Sequence, residues 1–199
     1  MKARILVWLV ALFCCHNASF AQKEFVNTSV RLSGHPRILL QKGEEKALKK
    51  VIMKDAVWKD IHQSLVDEAG EIVKLPLNER IKTGRRLLSV SRENLRRIFI
   101  LSYAYRMTGK SEFLKRAESE MLKAASFSDW NPSHFLDVGE MTMALAIGYD
   151  WLYPQLSVQT KREIENAIVE KGLKPSFDER YNWFVNAVHN WSQVCHAGV

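Results

Sequence analysis

The sequence predicts an all-α fold of helical hairpins, arranged as a partial (α/α) toroid or a solenoid. Three observations predict it. No stretch shows apolar–polar alternation long enough to make a strand. Segments of helical periodicity follow one another, divided by Pro76, Gly109, Pro154 and Gly172. They also come in a two-beat order: a helix apolar nearly all round, then an amphipathic one. That order is what an inner and an outer helix, repeated around a ring, require.

The chain opens on a separate signal. Lys2 and Arg4 precede an apolar run over residues 5–15, followed by Ser19, Phe20 and Ala21. This is the pattern of a secretory signal peptide over residues 1–21, cleaved after Ala21. The run is too short to span a bilayer, so an exported protein, periplasmic or secreted, is expected, with no stable membrane insertion after cleavage. A lipid anchor at Cys14 or Cys15 fits less well, because Phe13 precedes Cys14. Loss of Lys2 and Arg4 takes the formal charge from +7 to +5. Cys195 then stands alone, so the core and not a disulfide must hold the fold. A moderately basic exported chain suits a polyanion such as an acidic polysaccharide, although a solvated basic surface explains the same charge. No motif supports nucleic-acid binding. The 199 residues suit one domain or part of a larger one.

Residues 22–40 read as an extended lead-in. It ends in His35-Pro36-Arg37-Ile38-Leu39-Leu40, where proline disfavours helix and the apolar triplet is expected to dock on a core. The toroid part runs over 41–199. A charged helix over 41–54 precedes one over 55–75, whose Val57, Trp58, Ile61, Leu65 and Val66 recur at helical spacing. A basic connector over 76–90 carries Arg80, Lys82, Arg85 and Arg86. The first beat is 93–107 followed by 111–125, with Ser111 as the expected N-cap. The second is 137–151 followed by 157–171, closed by Gly172. Asp137 with Glu140 reads as a capping box, and Ser176 with Glu179 as another that opens a short helix. A third apolar helix starts near Trp191. Inner helices of such a ring run parallel, so the loops leading into them gather at one end. This places residues 130–134 near residues 189–193.

The stretch DWNPSHFLDVGEMTMALAIGYDWLYP at 129–154, with HPRILL at 35–40 and NWSQVC at 190–195, resembles the heparinase II/III-like polysaccharide lyases. The matching part is their N-terminal, incomplete α/α-toroid region, and the resemblance covers the chain from about residue 35 onward. It implies a fragment truncated before the remaining toroid helices and a C-terminal β-sandwich, and inactive by itself. It also implies β-elimination on uronic-acid-containing polysaccharides of the heparin or heparan sulfate kind. That reaction needs the uronate carboxylate neutralised, a base for the C5 proton and an acid for the leaving oxygen. In the family a tyrosine and a histidine serve as base and acid, in a segment expected beyond residue 199. No cofactor is expected here, while a structural metal occurs elsewhere in some members.

Asn190 and Gln193 are the candidates to engage the carboxylate, because an amide donates two hydrogen bonds without charge; capping of the last helix is the alternative. His189 stands where relatives often carry a second Asn. It could act as acid or base near neutral pH, or be an ordinary polar residue. Trp130, Asn131, His134 and Trp191 are candidate substrate-binding residues, the indoles as platforms and the others as hydrogen-bonding groups. For Trp130 the alternative is a plug in the core. Two other classes remain. A glycoside hydrolase on an α/α toroid would need two carboxylates about 5–10 Å apart, from among Asp129, Asp137, Glu140 and Asp150. A non-catalytic helical module could bind glycan or protein.

Overall fold

A computed structural model describes residues 34–199. The expected signal peptide, residues 1–21, and the lead-in as far as residue 33 lie outside the described residues. Within them the chain is all-α. The helices are α1 (Glu45–Lys54), α2 (Ala56–Lys74), α3 (Leu88–Thr108), α4 (Ser111–Ala125), α5 (Phe135–Leu152) and α6 (Val158–Ala167). The last continues through a π-helical segment, Ile168–Leu173, and a final turn, Lys174–Ser176. A 3₁₀ turn at Asn182–Asn186 leads to α7 (Asn190–Gly198).

Several boundaries follow from local chemistry. Asp55 caps α2 by accepting the N–H groups of Val57 at 2.9 Å and Trp58 at 3.2 Å. Gly109, at φ 74°, takes the left-handed turn that ends α3. Ser157 caps α6 through the N–H of Thr160. Other expectations need correction. Helix α3 begins at Leu88, five residues before the expected start. Ser111 is the first residue of α4 and not its cap, and Lys110 before it makes no side-chain cap. Gly172 closes nothing, since the helix passes through it. It is small because a Cβ there would come within 2.5 Å of Thr142 Oγ1 and 3.3 Å of Trp130. Ser176 opens no helix; its hydroxyl donates back to the Leu173 carbonyl at the end of the α6 extension.

Helices α3 and α5 pack in parallel along their lengths. Arg92 pairs with Glu140, Asn94 meets Met141, and Phe99 lies 5.1 Å from Trp151. Gly148 permits the close approach, since a Cβ there would fall 2.5 Å from Ile98 and 2.6 Å from Met121. Helix α7 runs in the same direction beside α5: Trp191 meets His134 near the start of α5, and Gly198 abuts the Gly139 backbone further along. The starts of α3, α5 and α7 therefore share one end, as the two-beat pattern requires. Phe113, Ala117, Met121 and Ala124 of the returning α4 complete the core around Met141, Ala144 and Leu145.

The lead-in docks at the other end of α5, through polar groups and not through its apolar triplet. Asp150 accepts from His35 Nδ1 at 2.5 Å and from the N–H groups of Arg37 and Ile38 at 2.9 and 3.1 Å. Trp151 Nε1 donates to the Ile38 carbonyl, while Leu39 stays 69% exposed. Between α3 and α4, the buried Glu120 carboxylate accepts from Arg97 and Arg116, both of which also donate to the Pro76 carbonyl. This ties the connector to the bundle. Among the described residues no helix is long and apolar enough to cross a membrane.

Beside this cluster, hydrogen bonds from Arg96, opposed by partial burial and aided by Arg97, hold Glu93 down from 4.5 to about 2. Because the folded value is the lower one, the stabilisation from Glu93 is complete above 4.5 and is lost as pH falls toward about 2. The urea midpoint is expected to drop across that window, and to drop less in Glu93→Gln, which has no carboxylate to protonate.

Candidate functional site

The shared end of α3, α5 and α7 is built from the loop before α5. Asp129 accepts the N–H of Asn131 at 2.6 Å and is gripped by Arg80, whose Nη2 reaches its carboxylate at 2.6 Å and whose Nε reaches its carbonyl at 3.0 Å. Partial burial opposes ionisation of Asp129, yet these donors hold its carboxyl below the ordinary range. The turn leaves Asn131 at φ 60°, a left-handed conformation that Asn tolerates better than most residues. From there the Asn131 amide donates to the Arg85 carbonyl at 2.9 Å and to Asp137 at 2.6 Å.

Asp137 is fully buried, and its carboxylate joins the loop before α5 to the segment before α3 through three donors. Besides Asn131 it accepts the N–H of Leu87, just before α3, at 2.7 Å and Nδ1 of His134 at 2.7 Å. The capping-box reading is thus corrected. The N-cap of α5 is His134, without a side-chain cap bond, and Asp137 sits inside the first turn with its carboxylate turned to the neighbouring helix start. Glu140 reaches no cap either; it pairs with Arg92 at 3.0 Å. Since a carboxylate accepts here, His134 donates its Nδ1–H to it. Its ring meets Trp191 edge-on, 4.7 Å between centroids.

The segment before α7 is pinned by Phe184, which is buried and lies 4.4 Å from Phe135. The residue before it, Trp183, is turned outward and stands 5.0 Å from Trp191 and 5.9 Å from His189. His189, and not Asn190, caps α7: its Nδ1 accepts the N–H of Trp191 at 3.4 Å. That bond places the neutral ring's proton on the exposed Nε2. Asn190 and Gln193 lie three residues apart on one helix face, both exposed. Among the described residues neither amide has a protein partner.

The structure therefore brings His134, His189, Asn190, Trp191 and Gln193 to one end of the bundle. Asn131 and His134 are buried behind that surface, and so is Trp130, which is fully buried with its Nε1 donating to the Ala124 carbonyl at 3.0 Å. Trp183 was missed. Tyr181, Trp183 and Phe184 stand together in and beside a 3₁₀ turn too short to show a periodicity, so nothing in the sequence says which of them faces out. His196 is exposed, with Nδ1 against the Ser192 carbonyl. Burial, with Glu140 nearby, pushes the Cys195 thiol up to about 11, which leaves it un-ionised at neutral pH. Tyr149 lies toward the opposite end of α5, its phenol raised by burial and by the Glu165 carboxylate. Among the described residues no three His, Cys, Asp or Glu side chains converge as a metal site would. Compared with models of known protein families and with curated proteins, the chain matches none.

Replacing Asp137 with alanine strands the Leu87 N–H, the Asn131 amide and the His134 ring in a buried place. A loss of about 3–5 kcal/mol in urea-unfolding stability is expected, as when one partner of a buried charged network is removed. A loss within error of zero would show that the carboxylate is not the tie between these segments.

Proposed function

We propose that the chain is the sugar-gripping part of an (α/α)-toroid polysaccharide lyase that acts on uronic-acid-containing, heparin- or heparan sulfate-like polysaccharides. The observation that carries this reading is the pair of exposed amides of Asn190 and Gln193, without a partner among the described residues, on one face of α7 beside the Trp183–Trp191 pair. Elimination begins with loss of the proton at C5 of a uronate, next to its carboxylate. That proton becomes acidic only when the carboxylate charge is offset by donors aimed at it. Two neutral amides supply such donors without competing counter-ions, and the indole rings supply an apolar face on which a sugar ring can lie.

His189 joins them as a third donor. The cap bond to Trp191 occupies Nδ1, so the neutral ring offers Nε2–H and no free lone pair. Its place is at the carboxylate, and the base that takes the C5 proton is a different group. Trp130, Asn131 and His134 serve as a second layer: His134 supports Trp191, and Asn131 holds Asp137. The parallel run of α3, α5 and α7, with α4 and α6 returning between them, supports a toroid. So does an open apolar strip where α3 and α5 meet, lined by Leu95, Phe99, Met143 and Ile147, which ring neighbours would cover. The leader pattern adds an exported setting, periplasmic or secreted.

A hydrolase asks for two carboxylates free to flank a glycosidic bond. Asp129 is gripped by Arg80, Asp137 is buried under three donors, Glu140 pairs with Arg92, and Asp150 lies toward the far end of α5. This favours the lyase reading over the hydrolase. A non-catalytic glycan-binding module would share the same surface and is separated by product analysis. An unsaturated uronate chromophore marks elimination, new reducing ends without it mark hydrolysis, and affinity with neither marks a binding module.

Calorimetric titration with uronate oligosaccharides tests the surface itself. Replacing Asn190 and Gln193 together with alanine is expected to weaken binding about ten- to a hundredfold, the worth of one or two hydrogen bonds to a charged group. An unchanged affinity would remove both residues from the site.

A further inference from the structure

The connector that precedes α3 is basic, with Arg80, Lys82, Arg85 and Arg86 within seven residues. Residues Thr83 and Arg86 pair backbone to backbone in both directions, at 2.8 and 3.2 Å, around Gly84 at φ 60°. The turn is then fixed from behind, because Asn131 holds the Arg85 carbonyl and Asp137 holds the Leu87 N–H. In front of it lies an open hollow of about 600 Å³, with Arg85, Arg86 and Arg92 and the hydroxyl-bearing Thr83 and Ser89 on its walls. That is within the span of small-ligand sites, roughly 300–1,000 Å³.

The charges here are unevenly matched. Arg80 is neutralised by Asp129 and Arg92 by Glu140. Arg85 and Arg86 are exposed and, among the described residues, have no acidic partner. The backbone beneath them is held at the Arg85 carbonyl by Asn131 and at the Leu87 N–H by Asp137, so the turn that carries both side chains is fixed in place. Guanidinium groups held on a rigid turn suit sulfate and carboxylate, which they bind with paired N–H donors. The hollow also belongs to the same end of the bundle as Asn190 and Gln193, since the carboxylate that fixes the turn also holds His134 against Trp191.

We infer that this hollow, through Arg85 and Arg86, binds an anionic substituent of the acidic polysaccharide at a sugar other than the one held by Asn190 and Gln193. The inference rests on the proposed function, and it adds a second point of attachment that sets the register of the polymer. The substituent is a sulfate or a uronate carboxylate, two sources of one chemistry.

The test compares wild type with the Arg85→Ala/Arg86→Ala variant by calorimetry, using an unsulfated uronate oligosaccharide and a heparan sulfate oligosaccharide of equal length as probes. Both side chains are exposed, and an unchanged thermal midpoint certifies the fold. Lys49→Ala/Lys50→Ala on α1 removes the same charge elsewhere. An affinity loss of about tenfold in the arginine variant alone is expected, with a shallower dependence on salt. Loss confined to the sulfated probe supports a sulfate site, and equal loss on both probes supports a carboxylate site. Unchanged affinity for both probes, while Asn190→Ala/Gln193→Ala still weakens binding, overturns the hollow and leaves the proposed function standing. An equal loss in the lysine variant overturns it as well, since net charge alone would then account for the effect. If wild type binds neither probe, the proposed function fails and this inference fails with it.

Discussion

The Asp137 carboxylate is the constraint on which the rest of this end of the molecule depends. Burying a charge costs several kcal/mol unless donors replace the lost water, and here three donors come from two stretches of chain, the connector before α3 and the loop before α5. Leu87 brings the start of α3, Asn131 brings the loop, and His134 brings the start of α5. Each needs the carboxylate as much as the carboxylate needs it. Positions that are distant in sequence thereby become one rigid corner, and His134, so oriented, forms the wall against which Trp191 and α7 are set.

The same device recurs toward the other end of α5, where Asp150 receives the lead-in. The two carboxylates are thirteen residues apart on one helix, roughly 20 Å at the α-helical rise. Between them α5 is almost wholly apolar and buried, with glycines at 139 and 148 where α7 and α3 come closest. The helix therefore acts as a spine: apolar packing sets its neighbours' distance, and an acid near each end sets their register. What is left over at the shared end is a surface whose supports are buried and whose exposed groups are unspent. Preorganised donors of that sort bind a charged ligand without first having to be ordered.

Much of the architecture was legible in the sequence, because helical periodicity and glycine or proline punctuation are local signals. The parallel order of α3, α5 and α7 followed from the alternation of all-apolar and amphipathic helices, and with it the meeting of residues 130–134 and 189–193. The details that failed were those in which two physical roles leave the same local trace. Asp137 and Glu140 have capping-box spacing, yet their partners are Leu87 and Arg92, some fifty positions away in sequence. Gly172 looks like a helix end because small size and left-handed freedom share one residue type; here only the size is used. Trp130 and Trp183 are equally aromatic, and nothing local says that the first fills the core while the second faces out. The cap of α7 fell on His189 and not on Asn190, a shift of one position that frees the amide on which the functional reading turns.

The most direct measurement is a nuclear magnetic resonance titration of isotope-labelled protein with an unsulfated uronate oligosaccharide, following side-chain N–H signals. The amides of Asn190 and Gln193 and the indole N–H of Trp183 are expected to shift together along one saturation curve. The indole N–H of Trp130, buried and bonded to the Ala124 carbonyl, should stay nearly still. Saturable shifts that bypass Asn190 and Gln193 and fall on another surface would contradict the proposed function.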